Sequence, residues 1–164
     1  MDTNELKELL RELRFSAELT DATAAKLVAL VAVRHYLAGA VIFAEGAENP
    51  WVYLVVEGEV ALEMCIPARG CTRILTLGAG DLLAWSSLLG NGRMTAGAHA
   101  LTDVRLLAAP AKLLKDLCAS DQHFAAEFYR EVARALSNRL VATRLQLLDL
   151  YGDTSAAAMT ALAH

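Results

Sequence analysis

The sequence predicts a mainly β domain with flanking helices, its strands closed into a barrel or sandwich. Two observations predict it. From Arg34 to Pro110, short apolar and β-branched runs alternate with turn residues at close intervals. On either side of that span, apolar residues recur at helical spacing. At 164 residues, 55% hydrophobic and 21% charged, the chain has the length of one domain and enough apolar side chains for a packed core.

The elements follow in order. Leu6, Leu9, Leu10 and Leu13 mark a helix from Asn4 to Leu13. Phe15 leads to Thr20-Asp21, an N-cap signal for a second helix over about Ala22 to Val33. Strands then follow at Val41-Ile42-Phe43, at Trp51 to Glu57, at Val60 to Cys65 and at Cys71 to Leu77. Two more fall within Thr95 to Ala109. Turns are read at Ala38-Gly39, Glu45-Gly46, Gly58, Pro67 to Gly70 and Gly78 to Gly80. Asp81 to Leu89 has helical apolar spacing and is expected as one or two turns of helix inserted between strands. Pro110 suits a helix N1 position and opens a helix to about Cys118. Ser120-Asp121 caps a last helix, from about Gln122 to Tyr151, with Gly152 as its stop. About 30 helical residues span roughly 45 Å, longer than the domain is expected to be wide. Along it Ala126, Tyr129, Ala133, Leu136, Leu140, Thr143, Leu147 and Leu150 alternate spacings of three and four, a heptad seam for a second copy. Val141, Leu145 and Leu148 form a second stripe. The other assignment of both stripes is to the core of one monomer. The expected divisions are 1–33 helical lead-in, 34–109 barrel, 110–152 C-terminal helices and 153–164 disordered tail.

Composition removes several function classes. A net charge of -4 and a pI near 5.5 lack the basic footprint of a nucleic-acid binder. The apolar run Leu27 to Val33 is too short to span a bilayer, and the charged amphipathic N-terminus is not a secretory signal. A cytoplasmic protein is expected. Three cysteines, an odd and sparse set, argue for a reducing compartment. Cys65 and Cys71 flank a turn and are expected as half-buried structural thiols, with a redox pair as the alternative. The histidines His35, His99, His123 and His164 are scattered without a His-x-His pair, so no metal site is expected. His99 is read as a surface or rim residue. Cys118, Asp121 and His123 match no nucleophile motif, and a helix cap explains Asp121.

The segment LAGAVIFAEGAENPWVYLVVEGEVAL carries Gly39, Ile42, Gly46, Tyr53, Val55, Gly58 and Val60 at a characteristic spacing. GAGDLLAWSSLL, TAGAHALTDVRLLAA and RLVATRLQLLDLYG follow. Over about Leu19 to Tyr151 this organisation resembles the sensor domain of the catabolite-activator/FNR family, and cyclic-nucleotide-binding domains generally. The resemblance implies a double-stranded β-helix (a jelly-roll, cupin-like barrel), a short phosphate-binding cassette and a long dimer helix.

It also implies a site. In the family a cyclic nucleotide lies in the barrel with its phosphate at the start of the cassette helix, where free N–H groups attract an anion. Gly80 would leave room for the ligand and Asp81 would accept the ribose hydroxyl, with Leu82 and Leu83 beside them. Thr95 would bond the phosphate, and Asn138 and Arg139 would meet the base unless they only form a solvated stripe. Aligned on Thr95-Ala96, Met94 occupies the phosphate-binding arginine position, with Arg93 one residue earlier. On a strand that offset turns a side chain to the opposite face, so Arg93 serves only through a bulge after Gly90-Asn91-Gly92. Loss of an arginine–phosphate contact weakens binding by roughly 10- to 100-fold. Trp85 sits where the family often has a small or acidic residue.

The leading expectation is a non-enzymatic sensor. It binds a cyclic nucleotide (cAMP or cGMP) or a related small molecule and signals through a homodimer helix to a downstream protein. The dimer seam comprises Tyr129, Leu136, Leu140, Thr143, Leu147 and Leu150. With only Gly152 to His164 after that helix, no direct DNA contact is expected. The alternatives are a ligand-free dimeric scaffold, with Met94 and Trp85 filling the pocket, and a cupin-like metalloenzyme.

Overall fold

A computed structural model describes the backbone of residues 2–161 and the side chains of residues 2–149. The chain divides into two compact units, Met1–Val132 and Ala133–His164.

The first unit begins with α1 (Thr3–Glu12) and α2 (Asp21–Val28). Asp2 and Glu5 form a reciprocal capping box at the start of α1. The Thr20 side chain caps α2. That helix ends earlier than expected. Ala32 to Tyr36 is β1, because its backbone finds a strand partner: Ala32 pairs with Ala108 and Val33 with Leu107.

Seven further strands follow: β2 (Val41–Phe43), β3 (Trp51–Glu57), β4 (Val60–Ile66), β5 (Gly70–Leu77), β6 (Leu82–Leu83), β7 (Gly97–Ala100) and β8 (Val104–Pro110). They form two four-stranded antiparallel sheets, ordered β1-β8-β3-β6 and β2-β7-β4-β5. This is the jelly-roll class that the family resemblance implies. Strand alternation sorts the side chains of β3 and β8. Tyr53, Val55, Leu106 and Ala108 join the core between the sheets, with Val60, Leu62, Leu83, Met94, Ala98 and Ala100. Val52, Leu54, Leu107 and Ala109 face the other way, where Leu10, Phe15, Leu27, Leu114 and Phe128 of the helices meet them. The β3–β4 turn requires Gly58. Its φ is +85°, and a Cβ would stand 2.3 Å from the Asp103 carbonyl oxygen.

Two expectations are corrected here: the inserted helix is present but shorter, and the two cysteines are paired. The expected helix over Asp81 to Leu89 is confined to α3 (Ser86–Leu89). Leu82 and Leu83 instead pair with Leu54 and Tyr53 of β3. The strand lets this apolar pair bury side chains on opposite faces, Leu83 in the barrel and Leu82 under the helices. Cys65 and Cys71 are not half-buried thiols. They are exposed, lie opposite each other in the β4–β5 register, and form a disulfide.

Pro110 ends β8 and precedes α4 (Ala111–Ser120). Asp121 then caps α5 (Gln122–Ala161), accepting a hydrogen bond from the Phe124 amide at 3.0 Å. Up to Val132, α5 belongs to the first unit and is anchored by Phe124, Phe128 and Val132, each at most 2% exposed. In the second unit the helix does not stop at Gly152 but runs to Ala161. A glycine inside a helix costs only about 1 kcal/mol, and the alanine-rich stretch after it favours helix. Leu140, Val141, Leu145, Leu147 and Leu148 are 50–65% exposed on this unit. The side chain of Leu150, the last of the expected seam, and residues 162–164 lie outside the described residues. Among the described residues, no helix is long and apolar enough to cross a membrane.

Candidate functional site

Within the first unit, the expected site residues fall on different faces. Gly80 has φ +84° and donates its amide to the Val55 carbonyl at 2.8 Å. A Cβ there would stand 3.1 Å from Arg14 Cβ, so the glycine admits the chain that follows α1. The Asp81 carboxylate accepts from the Gly78 amide at 2.9 Å and from the Arg14 guanidinium at 2.8 Å. It closes a turn and ties it to the N-terminal segment. With α3 beginning only at Ser86, Asp81 does not open a helix; Gly80-Asp81 is a turn that leads into the short strand Leu82–Leu83.

The start of the cassette helix moves to Ala84-Trp85. Ala84 takes a left-handed φ of 62°, which reverses the chain between β6 and α3. Ser87 and Asn49 fasten the cassette to β3. The Ser87 hydroxyl donates to the Asn49 carbonyl at 2.5 Å, and the Asn49 amide donates to Ser87 Oγ at 3.1 Å and to the Trp51 carbonyl at 2.6 Å. The Tyr53 hydroxyl donates to Asn49 Oδ1 at 3.2 Å. Asn49, Tyr53, Ser86 and Ser87 are all buried. A satisfied buried network of this kind holds the segment in one arrangement.

After the Gly90-Asn91-Gly92 turn, residues alternate in and out. Met94 and Ala96 are buried in the barrel core, whereas Arg93 and Thr95 are exposed. Arg93 bridges to Glu48 in the backbone, and its guanidinium donates to the Gly46 carbonyl at 3.2 Å and to Glu48 at 3.4 Å. No bulge returns it to the interior. Asn138 is exposed and Arg139 half-buried on the second unit, where the Arg139 carbonyl accepts from the Thr143 hydroxyl at 2.9 Å. Of the expected ligand residues in the first unit, Leu83 and Met94 reach the barrel core.

Sequence reasoning missed another group. Across β8, Arg34 stands opposite Leu106 and Tyr36 opposite Val104, while Trp51 stands opposite Pro110 and Tyr53 opposite Ala108. All four therefore share the inner face. The Arg34 guanidinium lies 4.1 Å from the Trp51 ring centroid. Tyr53 stacks with Phe43 at 6.4 Å. Burial, and then the neighbouring Tyr36 hydroxyl, push the Tyr53 phenol above its ordinary pKa; the Arg34 charge pulls the other way. The Trp-x-Tyr alternation in β3 marks one face, but the register that brings Arg34 to it is long-range.

Other chemistry has less support. Burial pushes the Cys118 thiol up, away from nucleophilic thiolate character. His99 Nδ1 lies 3.6 Å from Glu63. Among the described residues no group of three or more His, Cys, Asp or Glu side chains is placed to hold a metal ion.

The family model of the cyclic nucleotide-binding domain matches residues 33–121. Among solved structures, a candidate cyclic nucleotide-binding protein of Geobacter metallireducens is 26% identical, covering 82% of this chain and 97% of that one, with a TM-score of 0.73. The N-terminal domain of a transcriptional regulator from Streptomyces coelicolor is 30% identical, covering 82% and 93%, with a TM-score of 0.65. The catabolite activator protein of Thermus thermophilus is 26% identical, covering 87% of this chain and 63% of its own, with a TM-score of 0.65. No curated protein matches significantly by sequence.

Proposed function

The chain belongs to the cyclic nucleotide-binding domain family, and from that premise we propose that it is a non-enzymatic sensor whose barrel binds a cyclic nucleotide or a related small molecule. The observation that carries this reading is the cassette. It interrupts the barrel between β5 and β7 and is fixed by the buried Asn49–Ser87–Tyr53 network, a preorganised segment that packing alone does not require. The exposed apolar positions Leu140 and Leu147 support self-association through the last helix. Ligand binding that favours one arrangement of that helix would pass the signal to a downstream protein. A cytoplasmic setting suits such a sensor; the Cys65–Cys71 disulfide would form there only under oxidising conditions.

A second reading is a ligand-free dimeric scaffold. Met94 at 3% exposure, with Ala98 at 2% and Ala100 at 1%, supports it, because those positions are closed to solvent. Isothermal titration of the full chain with cyclic AMP and cyclic GMP separates the two. Saturable heat at micromolar to millimolar nucleotide supports the sensor; no heat at millimolar nucleotide favours the scaffold.

A further inference from the structure

We propose that the anionic group of the ligand is held by Arg34, on the inner face of the edge strand β1, and not by a cassette arginine. This rests on the reading that the barrel binds a small molecule.

Three observations converge on Arg34. The register puts it on the barrel's inner face, opposite Leu106 and across β8 from Val55. The guanidinium there is half-buried. Yet among the described residues Arg34 has no carboxylate partner. Arg11, Arg14, Lys26, Arg93, Arg105, Lys112 and Arg130 each have one, and Arg69, Arg73, Lys115 and Arg144, which have none, are exposed, whereas Arg34 is half-buried on the inner face. Arg34 is held instead by its stack on Trp51, which fixes its plane and leaves its N–H fork available for an anion.

The surroundings define the ligand. Deep in the barrel the side chains are closed to solvent, Ala98, Ala100, Leu106 and Ala108 being at most 2% exposed. The half-buried apolar and aromatic side chains Tyr36, Ile42, Phe43, Trp51 and Leu75 pack against that closed core. Arg34 stacks on one of them, Trp51. Such a site takes a molecule with one planar ring for these side chains and one compact anion for the guanidinium, that is, a nucleotide carrying a single phosphate. With Met94 in the core and Arg93 committed to Gly46 and Glu48 outside, Arg34 is the cation placed to meet the phosphate from within.

The test titrates wild type, Trp85→Phe, Arg34→Gln, Arg34→Lys and Arg93→Ala with cyclic AMP, cyclic GMP, 5′-AMP and inorganic phosphate. Heat and tryptophan fluorescence are both followed, and circular dichroism verifies folding. The expected result is nucleotide binding that quenches tryptophan fluorescence, also in Trp85→Phe, and weakens roughly 10- to 100-fold in Arg34→Gln. Arg34→Lys retains part of the affinity and Arg93→Ala all of it. The cyclic and open nucleotides distinguish whether a ring phosphate or a terminal one is preferred. Wild-type affinity in folded Arg34→Gln overturns the assignment and leaves the sensor reading standing. If none of the four probes binds wild type at millimolar concentration, the nucleotide-sensor reading falls and the assignment with it.

Discussion

Replacing Asp81 by alanine separates a structural carboxylate from a ligand-binding one. Its bond from the Gly78 amide, at 2.9 Å and partly buried, is of the charge-assisted kind that contributes about 1.5–3 kcal/mol. The Arg14 partner is 68% exposed, so that pair adds at most about 1 kcal/mol. Asp81→Ala is therefore expected to destabilise by about 2–4 kcal/mol. For a chain of this size each kcal/mol moves Tm by roughly 2–4 °C, so the midpoint should fall by about 5–15 °C. Arg14→Ala should cost less than about 1 kcal/mol, which places most of the effect on the turn. Thermal unfolding followed by circular dichroism gives both values. Titration at a temperature where each variant is folded should show ligand affinity close to wild type. A variant of unchanged Tm that no longer binds nucleotide would refute this reasoning and return Asp81 to the ribose.

Three further outcomes follow from the same structure. Gly58→Ala should cost more than about 2 kcal/mol in urea unfolding, because it combines a left-handed φ with a 2.3 Å approach to the Asp103 carbonyl; Gly46→Ala, with φ +75° and nothing within 4 Å, should cost nearer 1 kcal/mol. The Thr20 backbone amide holds the Glu127 carboxyl below its ordinary pKa, and the Lys26 ammonium does the same for Asp121. A lowered folded-state pKa contributes stability that is full above the unfolded value, near 4, and lost as pH falls through the folded one. Urea midpoints should therefore drop as the pH falls below about 4, and less steeply in Glu127→Gln. Leu140→Lys with Leu147→Lys should abolish self-association, read by sedimentation as a change to the 17.6 kDa single-chain mass with the barrel still folded.

Much of the fold was legible because strands and helices write different periods. Trp51 to Glu57 and Val60 onward read as strands and are β3 and β4. The lead-in helices read from Leu6, Leu9, Leu10 and Leu13 and from the Thr20 cap. Short apolar runs were the weak point. Leu82-Leu83 fits a helical stripe or a doubly buried strand equally well, and only the partner β3 decides. Val31 to Val33 likewise passed for the end of a helix until β8 offered its edge. The candidate site was less legible. The one-residue offset between Arg93 and Met94 was enough to separate their faces, and the structure places one outside and the other in the core. Arg34, seventeen positions before Trp51 in the chain, meets it only because β8 lies between β1 and β3, a pairing of high sequence separation that no local pattern encodes.

A nucleotide that enters this barrel is expected to lie along the inner face of β1 and β3. Backbone nitrogen-15 chemical-shift mapping with cyclic AMP tests it most directly. The expected shifts cluster on Arg34, Tyr36, Trp51, Tyr53 and the cassette amides Ala84 to Ser87, with the Trp51 indole among the largest. Shifts confined to the outer face around Arg93 and Thr95, or none at millimolar nucleotide, would contradict it.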